Sequence, residues 1–394
     1  MKVAVVAEFY PRDHDPVLGV WAHRQALAAR DAGADVRVLV LHRPIPPRAT
    51  APRDLVAETS RLIRQPRHVV LDGLAVEYVP FLSPPRPRSY GHWGQWAAPT
   101  LALALARLRR RFAYDVIHAH NAVPAGDAVL RVLSSAHPHP RPPLVVSVHG
   151  GDVFHTARTS PAGERAVRRT FAAARLVLAN SARIEVDARA AGAVHTRVVH
   201  LGTDVPAPAR HEGPPTVVTV AHLIARKRHA DVVRALWVLR DRHPELRYLI
   251  IGDGPERERL AALAAQIGIA DRVDFAGQLP HEQALERARR ATLFVMPSTE
   301  EAFGVAYVEA MAGGLPAIGS CAEPGPEEIA AAGEGIVLVP PGDIEVLAAE
   351  IDALLRDGPA RAELGRRARA TVQRAFTWRR CGEETVRAYE DALA

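Results

Sequence analysis

Several residue types are scarce in this sequence, and each scarcity excludes a class of protein. Two of the 394 residues are cysteines, which are too few for a disulfide framework and fit a reducing compartment. The first apolar run meets Glu8 too early to be a signal peptide. The most apolar later stretch, Trp96 to Ala106, is about 11 residues long and therefore too short to span a membrane. We predict a cytoplasmic protein.

Lysine and aromatic residues are also rare. Only Lys2 and Lys227 are lysines among the 50 basic residues, so arginine carries most of the positive charge, and the formal net charge is +6. The arginine excess either reflects composition alone or attracts an anionic partner, such as a membrane surface, a nucleic acid or a phosphorylated ligand. Nucleic-acid binding would need aromatic side chains interleaved with basic ones, and the 5% of aromatics show no such pattern. We expect no nucleic-acid partner, and Lys227 indicates a position that favours a compact ammonium group.

Short β-rich runs alternate with helical patterns along the chain, which is typical of parallel α/β sheets. The alternation begins with "KVAVVAEF", is interrupted by the proline-rich "TDVPAPARHEGPPT", and restarts at "VVTVAHL". A chain of this length suits two domains of roughly 150–200 residues. We predict two doubly wound, Rossmann-like domains that face an interdomain cleft, at residues 1–203 and 204–376, followed by a helix at 377–394 that returns to the first domain. Residues 43–100 are expected to form long surface loops.

Ligands of such sheets bind outside the carboxyl ends of the strands, so strand-end residues are candidates for a functional site. His149 ends the strand "LVVSVH" and precedes Gly150 and Gly151, where the backbone can approach a ligand closely. It either bonds a ligand hydroxyl or transfers a proton, or it bonds only its own loop. His118 and His120 also end a strand, on one face, and an acceptor-side role and a structural role are equally supported. No metal site is expected there, because metal-ligand spacing is lacking.

Two segments of the second half combine charged residues with a helix start. Arg226 and Lys227 precede a predicted helix, which is a phosphate-binding arrangement unless it is only a solvated basic turn. The stretch "EEAFGVAYVEAMAGG" keeps Glu301 and Glu309 among apolar residues, and a helix is expected to begin near Gly304. These acids either bind a ligand or are solvated on an ordinary packed helix.

The turn "GDGPER" lies at a strand-to-helix junction. It lacks the third glycine of the dinucleotide fingerprint, and the first 40 residues lack that fingerprint as well. This argues against a nicotinamide or flavin oxidoreductase.

Five segments between Val198 and Asp343 occur in the order known from one enzyme family. They are "VVHLGTDV", "IGDGPERERL", "VDFAGQLP", "PSTEEAFGVAYVEAMAGGLPAIGS" and "GIVLVPPGD". With them the chain resembles the retaining glycosyltransferases of family 4, which have the GT-B fold, and the resemblance runs from Val3 to about Tyr389. Glu301 and Glu309 resemble the two acids of that family's E-x7-E segment.

The resemblance implies a role for each matching residue in binding a nucleotide-diphosphate sugar. Glu301 would bond hydroxyls of the donor sugar, Glu309 would bond the ribose, and Lys227 with Arg226 would hold the diphosphate. His149 would lie near the transferred sugar, so the implied catalytic residues are His149, Glu301 and Lys227. The other implied donor-binding residues are Gly19, Gln278, Leu279, Ala302, Phe303, Gly304 and Val305. The acceptor-side candidates are His118, His120 and Trp21.

The implied reaction is glycosyl transfer with retention by front-face displacement, in which the two cations and helix N-termini stabilise the leaving diphosphate. Neither a metal nor another cofactor is expected, a UDP-sugar is the favoured donor, and the acceptor is a small molecule, a glycan or a lipid-linked compound. The chain departs from the family pattern at His222, where arginine is common, at Arg228, where glycine often follows the lysine, and at Pro324-Gly325, where two glycines are usual. The alternatives are a sugar phosphorylase or a sugar-nucleotide epimerase on the same fold, or a nucleotide-sugar-binding protein without catalysis.

Residues 84–112 have the character of a membrane-surface segment. They carry Trp93 and Trp96, an apolar helical run, and then Arg107 and 109–111. The segment is either an interfacial helix or a packed helix with a basic end. The first interpretation leads to the hypothesis of a peripheral contact with the inner face of the membrane.

Overall fold

The computed structural model describes residues 1–46, 54–135, 141–207 and 213–394. The chain divides into two compact α/β units. The first unit comprises Met1–His200 together with Trp378–Ala394, and the second comprises Leu201–Thr377. The C-terminal residues therefore belong to the first unit.

Strands and helices alternate along both units. Within the described residues the strands are β1 (Lys2–Ala7), β2 (Asp35–His42), β3 (His68–Leu71), β4 (Leu74–Pro80), β5 (Val116–His120), β6 (Leu144–Val148), β7 (Leu176–Ala179), β8 (Thr196–Val198), β9 (Thr216–Val220), β10 (Arg247–Ile251), β11 (Val273–Gly277), β12 (Leu293–Val295), β13 (Ala317–Ser320) and β14 (Ile336–Val339). The helices of the same residues are α1 (Val20–Asp31), α2 (Leu55–Ile63), α3 (Arg86–Ser89), α4 (Trp93–Arg111), α5 (Asp127–Ser135), α6 (Ala157–Thr159), α7 (Pro161–Ala173), α8 (Ala182–Ala190), α9 (His229–Leu239), α10 (Arg257–Gln266), α11 (His281–Arg289), α12 (Val305–Ala312), α13 (Pro324–Ala332), α14 (Ile344–Arg356), α15 (Gly358–Ala375) and α16 (Trp378–Leu393).

The first unit is built on an eight-stranded sheet with the order β3-β4-β2-β1-β5-β6-β7-β8. Its neighbouring strands are parallel, except for the antiparallel pair of β3 and β4 at one edge. Every residue of β5, β6 and β7 is buried, as are the last five residues of β1. Strands covered on both faces have continuous apolar runs, which explains why the sequence predicted these strands without alternation.

The second unit is built on a six-stranded parallel sheet with the order β11-β10-β9-β12-β13-β14. Counted from its own first strand, this is the doubly wound Rossmann order, in which the direction of winding reverses between the first and fourth strands. The reversal here lies between β9 and β12. The prediction of two Rossmann-like α/β domains is confirmed.

The expectation of long surface loops over residues 43–100 is wrong. The described part of that segment contains α2, the β3-β4 hairpin, α3 and the start of α4. The hairpin turns at Asp72 and Gly73, whose φ angles of 47° and 81° are both positive. An Asp-Gly pair with two positive φ angles is a strong hairpin signal, and the surrounding arginines and prolines obscured it.

Helix α4 is packed along one side. This corrects part of the interpretation of residues 84–112 as a membrane-surface segment. Trp93 is 4% exposed, and its indole N–H donates to the Ser89 hydroxyl at 2.9 Å. Leu101 and Leu105 are buried on the same helix, whereas Leu103 is 63% exposed. Trp93 is therefore a core residue of the first unit. Within the described ranges, no helix combines the length and apolarity that crossing a bilayer requires.

Helix α16 completes the first unit by packing on α1. The two helices approach so closely that a Cβ at Gly382 would lie 2.1 Å from the carbonyl oxygen of Ala28. The Gln25 amide donates to the Thr385 hydroxyl at 3.1 Å across the same contact. Four residues of α16, Cys381, Ala388, Tyr389 and Ala392, join the core beneath the first sheet.

Candidate active site

The segments that follow β9 and β12 carry the main candidate residues of the second unit. After β9 a short 3-10 turn, Ala225–Lys227, leads into α9, and after β12 the loop 298–304 leads into α12. The Thr299 N–H donates to the Arg226 carbonyl at 2.8 Å, which joins the two segments. Because ligands of doubly wound sheets bind where the winding reverses, this edge is the first candidate for a binding site.

Lys227 and Glu301 form an ion pair at this edge. The Lys227 ammonium donates to Glu301 Oε2, and the two side chains are 12% and 10% exposed. The Ser298 hydroxyl donates to the same oxygen at 3.1 Å, and the Arg226 guanidinium lies 3.9 Å from it. Burial raises the pKa of Glu301, but Lys227 and Arg226 outweigh burial and hold the pKa below its usual 4.5. Glu301 is therefore an ionised acceptor flanked by two cations at neutral pH.

Glu323 is a further carboxylate at this edge, and the sequence did not single it out. It accepts a hydrogen bond from the Glu301 N–H at 3.0 Å, while the Gly325 N–H donates to the Glu301 carbonyl at 2.8 Å. Burial raises the pKa of Glu323, the hydrogen bond from Glu301 partly offsets this rise, and repulsion from the Glu301 carboxylate adds to it. Ser298 and Glu323 belong to no recognised spacing. Ser298 lies in the quoted E-x7-E segment without an implied role, and the only signal of Glu323 was its position three residues after β13.

Helix α12 begins where the sequence predicted, with Gly304 as its N-cap at a φ of 81°. A Cβ at Gly304 would lie 2.5 Å from the Tyr307 ring, so both the backbone and the packing require glycine. Phe303 is 1% exposed and packs edge-on against Phe376 at 5.5 Å between ring centroids. These apolar side chains support the loop, and the role of its backbone in donor binding stays a prediction. The adjoining candidates are the buried Ala302 and the half-buried Val305.

Glu309 lies in α12, about one turn beyond the first residue of the helix, Val305. Its carboxylate is 3.3 Å from the His281 Nε2, and its side chain is 11% exposed. The partner His281 begins α11, which the sequence did not connect with this segment. The predicted contact of Glu309 with a ribose stays a prediction.

Arg228 adopts a left-handed conformation with a φ of 55° at the N-cap of α9. This explains why glycine suits the position after the lysine, since glycine reaches positive φ without strain. The Arg228 guanidinium pairs with Asp231 in the first turn of the helix. His222, where the family commonly has arginine, is exposed, and Arg226 supplies the nearest cation to Glu301 after Lys227.

The remaining candidates of the second unit follow β10 and β11. Gln278 is exposed and Leu279 is half-buried directly after β11. The Gly252 N–H donates to the Gly277 carbonyl at 2.9 Å, and a Cβ at Gly252 would lie 2.0 Å from the Ala221 carbonyl oxygen. Close packing on the segment after β9 thus explains the glycine that opens "GDG". All these candidates share the carboxyl edge of one sheet.

The first unit gathers three histidines at the carboxyl edge of its own sheet. His149 follows β6, and its Nε2 lies 2.9 Å from Nδ1 of His120 in β5. His118 is 1% exposed and uses both ring nitrogens, with the Tyr389 hydroxyl at 2.8 Å and the Ser147 hydroxyl at 2.7 Å. The sequence left an acceptor-side and a structural role open for His118, and its full set of partners favours the structural one.

All three imidazoles are neutral at physiological pH. Burial lowers the pKa of His118 and of His149 to about 3, and it lowers the pKa of His120 well below 6.5. They therefore act as neutral hydrogen-bonding groups. Nearby, the Asp152 carboxyl accepts from the Ala122 N–H at 3.0 Å, and burial raises its pKa to about 7.

Gly19 and Trp21 open helix α1 next to this group. Gly19 is the N-cap with a φ of 65°, and a Cβ there would lie 2.2 Å from the backbone of Phe9. This packing accounts for the glycine, and its proposed approach to a diphosphate stays a prediction. The Trp21 ring is half-buried and lies 6.0 Å from that of His149. Trp21, His120 and His149 thus form one cluster of the first unit.

Metal binding has no evident location in the part of the chain that the structure describes. No three His, Cys, Asp or Glu side chains of these residues are grouped as ligands of a metal ion. Whether the reaction depends on a metal stays a prediction for experiment.

Two family descriptions match the chain one after the other. "Glycosyltransferase Family 4" matches residues 18–207, and "Glycosyl transferases group 1" matches residues 203–371. The putative teichuronic acid biosynthesis glycosyltransferase TuaC of Bacillus subtilis (strain 168) is 26% identical over 340 residues, which are 81% of this chain and 80% of that protein. Several other curated relatives are matched over less than half of their own length.

Solved structures share the fold over the full chain. The sucrose-phosphate synthase (tll1590) from Thermosynechococcus elongatus has a TM-score of 0.80 and 21% identity, with 99% of this chain and 98% of that chain covered. The Anabaena protein Alr3699/HepE, solved in complex with UDP and glucose, has a TM-score of 0.72 and 20% identity, with 99% of both chains covered.

The fold and these matches define a glycosyltransferase with the GT-B fold. The chain belongs to the glycosyltransferases of family 4, so the resemblance to that family is confirmed, whereas retention of configuration and the roles of Glu301 and Glu309 stay predictions.

Proposed function

We propose that this glycosyltransferase moves a sugar from a nucleotide-diphosphate sugar to a hydroxyl with retention of the anomeric configuration. The observation that carries the proposal is the Lys227–Glu301 pair at the winding reversal between β9 and β12. A carboxylate that accepts from sugar hydroxyls and a cation that meets a diphosphate are the two groups that a sugar nucleotide requires side by side. The donor site is therefore assigned to the second unit.

The leaving diphosphate is the group that this edge is suited to stabilise. Lys227 and Arg226 place positive charge there, and the N-terminus of α9 begins directly behind them. Helix N-termini add positive potential where negative charge develops. Glu301 is already ionised and paired with Lys227. This suits a carboxylate that accepts hydrogen bonds from sugar hydroxyls better than it suits a covalent nucleophile. We accordingly propose front-face displacement, in which the departing diphosphate oxygen takes the proton of the acceptor hydroxyl.

A UDP-sugar is the proposed donor, and a glycan or lipid-linked hydroxyl is the proposed acceptor. UDP and glucose occupy the structure of Alr3699/HepE, and TuaC is named for teichuronic acid biosynthesis. In this proposal, His149 of the first unit lies near the transferred sugar, and no metal takes part. Added EDTA should therefore leave the transfer rate unchanged.

A thermal-shift screen across UDP-, GDP-, ADP- and dTDP-sugars tests the donor without knowledge of the acceptor. A UDP-sugar at 100 times its Kd should stabilise the fold by about 2.7 kcal/mol and raise the melting temperature. Products are then analysed with and without inorganic phosphate. Formation of a sugar phosphate only when phosphate is present would show that the protein is a phosphorylase rather than a transferase. Isomerisation of the sugar nucleotide, with no transfer product, would show that it is an epimerase.

Lys227→Ala tests the diphosphate contact. Removal of one preorganised charge partner should lower turnover by about 100-fold. Arg234→Ala is the matched control, because Arg234 lies in α9, is 47% exposed in its side chain, and pairs with Asp231 rather than Glu301. Near-normal turnover of Lys227→Ala with the preferred donor would contradict the proposed site.

A peripheral membrane contact is proposed for the exposed side of α4. This side presents Leu103, which is 63% exposed, and ends in the exposed Arg110 and Arg111. An apolar side chain beside a basic helix end is the pattern that binds an anionic lipid surface.

Liposome sedimentation tests this contact. The chain should sediment with vesicles that contain phosphatidylglycerol, and Leu103→Glu combined with Arg110→Glu should abolish this. Val186→Glu is the control, because Val186 is 59% exposed on α8. Sedimentation of the double variant at the level of the unmodified chain would rule out this surface.

A further inference from the structure

We propose that His120 is a positioning residue for His149: its Nδ1–H donates to Nε2 of His149 and holds His149 as the neutral tautomer that carries its proton on Nδ1. His149 is then a hydrogen-bond donor in the reaction and takes up no proton. The tautomer follows from the first unit alone, and only its use in catalysis rests on the proposed function.

The geometry of the pair is that of a well-formed hydrogen bond. The two nitrogens are 2.9 Å apart, the ring planes differ by 6°, and the ring centroids are 5.2 Å apart. So large a centroid separation at this nitrogen distance requires the rings to meet edge to edge in nearly one plane. A hydrogen bond along that line is close to linear, which is the favoured geometry.

One nitrogen of the contact must donate and the other must accept, because both rings are neutral. Either His120 Nδ1–H donates to His149, or His149 Nε2–H donates to His120. Each ring has one nitrogen in the contact and one outside it, which is called the outer nitrogen. The direction of the hydrogen bond decides which of the two outer nitrogens carries an N–H. The outer nitrogens are Nε2 of His120 and Nδ1 of His149, and both are buried without a hydrogen-bond partner among the described residues.

The two arrangements differ in where the unpaired donor lies. If His149 donated, the N–H on Nε2 of His120 would be enclosed in a residue that is 3% exposed. If His120 donates, that nitrogen keeps only a lone pair, and the N–H lies on Nδ1 of His149, which is also buried but belongs to a half-buried residue. Either arrangement leaves one buried N–H without a protein partner, and such groups are rare. The second arrangement is favoured because it places that N–H on the more exposed of the two residues.

The backbone next to His149 is less enclosed than the surroundings of His120. His149 is followed by Gly150 at a φ of 93° and by Gly151, where a Cβ would meet nothing within 4 Å. His120, in contrast, is backed by His118, whose ring lies 4.5 Å away and is held at both nitrogens. The His120 ring is therefore fixed from behind, and the His149 ring belongs to the less enclosed residue of the pair.

Nitrogen-15 NMR of the full chain, labelled at histidine, tests the tautomer directly. The signals of His149 are identified by their loss in His149→Gln. We expect the protonated-type shift at Nδ1 and the non-protonated type at Nε2. The reverse pattern in the unmodified chain would overturn the proposal, and this readout needs neither a donor nor an acceptor.

Variants of His120 separate positioning from folding. His120→Asn keeps a donor at the Nδ1 position and should preserve the His149 pattern, whereas His120→Leu should give a mixture of tautomers. His68→Asn, at an exposed histidine of β3 in the same sheet, is the control and should leave the His149 pattern unchanged. A His149 pattern that is the same in His120→Leu as in the unmodified chain would also overturn the proposal.

Kinetics with the preferred sugar nucleotide add the catalytic readout. His120→Leu should lower kcat by about tenfold, the worth of one hydrogen bond, with little change in KM for the donor, and His120→Asn should restore most of it. If no sugar nucleotide is turned over, the proposed function fails while the NMR result still decides the tautomer. An unchanged kcat in a folded His120→Leu would refute the positioning role.

Discussion

At the scale of single residues, the candidate site depends on the ion pair of Lys227 and Glu301 and not on either residue alone. Lys227 and Glu301 are 74 positions apart in the chain, and their pair is nearly removed from solvent. A desolvated pair costs much to break, because the remaining charge has lost both water and its partner. The pair holds Lys227 in place. Under the proposed function, a bound diphosphate would compete with Glu301 for the ammonium.

Glu301→Gln should destabilise the second unit by about 3 kcal/mol at pH 7, because it leaves Lys227 buried without its partner charge. Glu301 has a folded-state pKa below its usual 4.5, so its contribution is present above that value and is lost as pH falls through the folded-state pKa. The difference in the free energy of unfolding between the variant and the unmodified chain should therefore become smaller below pH 4.5. Urea unfolding, followed by hydrogen exchange of peptides from the second unit, measures it.

The exposed neighbour Glu300 provides the control for this measurement. Glu300→Gln should change the free energy of unfolding by less than about 0.5 kcal/mol. An effect of Glu301→Gln that stays constant from pH 7 to pH 3 would contradict the role given to the carboxylate charge.

At the scale of secondary-structure elements, close backbone approaches hold the loop 298–304 in place. A Cβ at Gly325, the second residue of α13, would lie 2.2 Å from the Phe303 carbonyl oxygen. The Gly325 N–H also donates to the Glu301 carbonyl at 2.8 Å. The start of α13 therefore supports the loop that presents Glu301. This explains the need for glycine in the second position of Pro324-Gly325, although the family's first glycine is replaced.

Gly325→Ala should displace this loop and weaken donor binding at least about tenfold, at a stability cost of about 2 kcal/mol from overpacking. Gly358→Ala is the matched control, because Gly358 also starts a helix and a Cβ there would meet only the end of the Arg361 side chain at 3.8 Å. Isothermal titration with UDP compares the variants. Equal affinity of both variants for UDP would show that the approach of α13 does not position the loop.

At the scale of the whole molecule, the two units differ in the number of chain segments that form them. The second is continuous, whereas the first is completed by α16, from the far C-terminus. The first unit therefore has an unfinished core until the last residues are present. Because the Tyr389 hydroxyl bonds His118, α16 also reaches the histidine group of the first unit.

Gly382→Ala should loosen the first unit selectively, because its methyl group would collide with the Ala28 carbonyl oxygen. We expect a loss of about 2 kcal/mol from overpacking, with faster hydrogen exchange in α1 and α16 and unchanged exchange in α10 of the second unit. Glu390→Ala, on the exposed side of α16, is the control. Equal acceleration in both units would contradict a contribution of α16 to the first unit alone.

Local features of the fold were predictable because they depend on neighbours in the chain. The apolar runs of β1, β5 and β6 and the helix start at Gly304 are written in adjacent residues. The hairpin of β3 and β4 carried an equally local signal in Asp72-Gly73, and the composition of the surrounding segment concealed it.

The sequence by itself determined the α/β class, the family and the residue types of the candidate site. Only the tertiary structure decided that Lys227 pairs with Glu301, that Glu323 accepts from the Glu301 backbone, and that His120 meets His149. The physical reason is strand order. The placement of β12 beside β9, and of β6 beside β5, brings together residues that are distant in the chain, and no local pattern of hydrophobicity or turn chemistry encodes that neighbourhood.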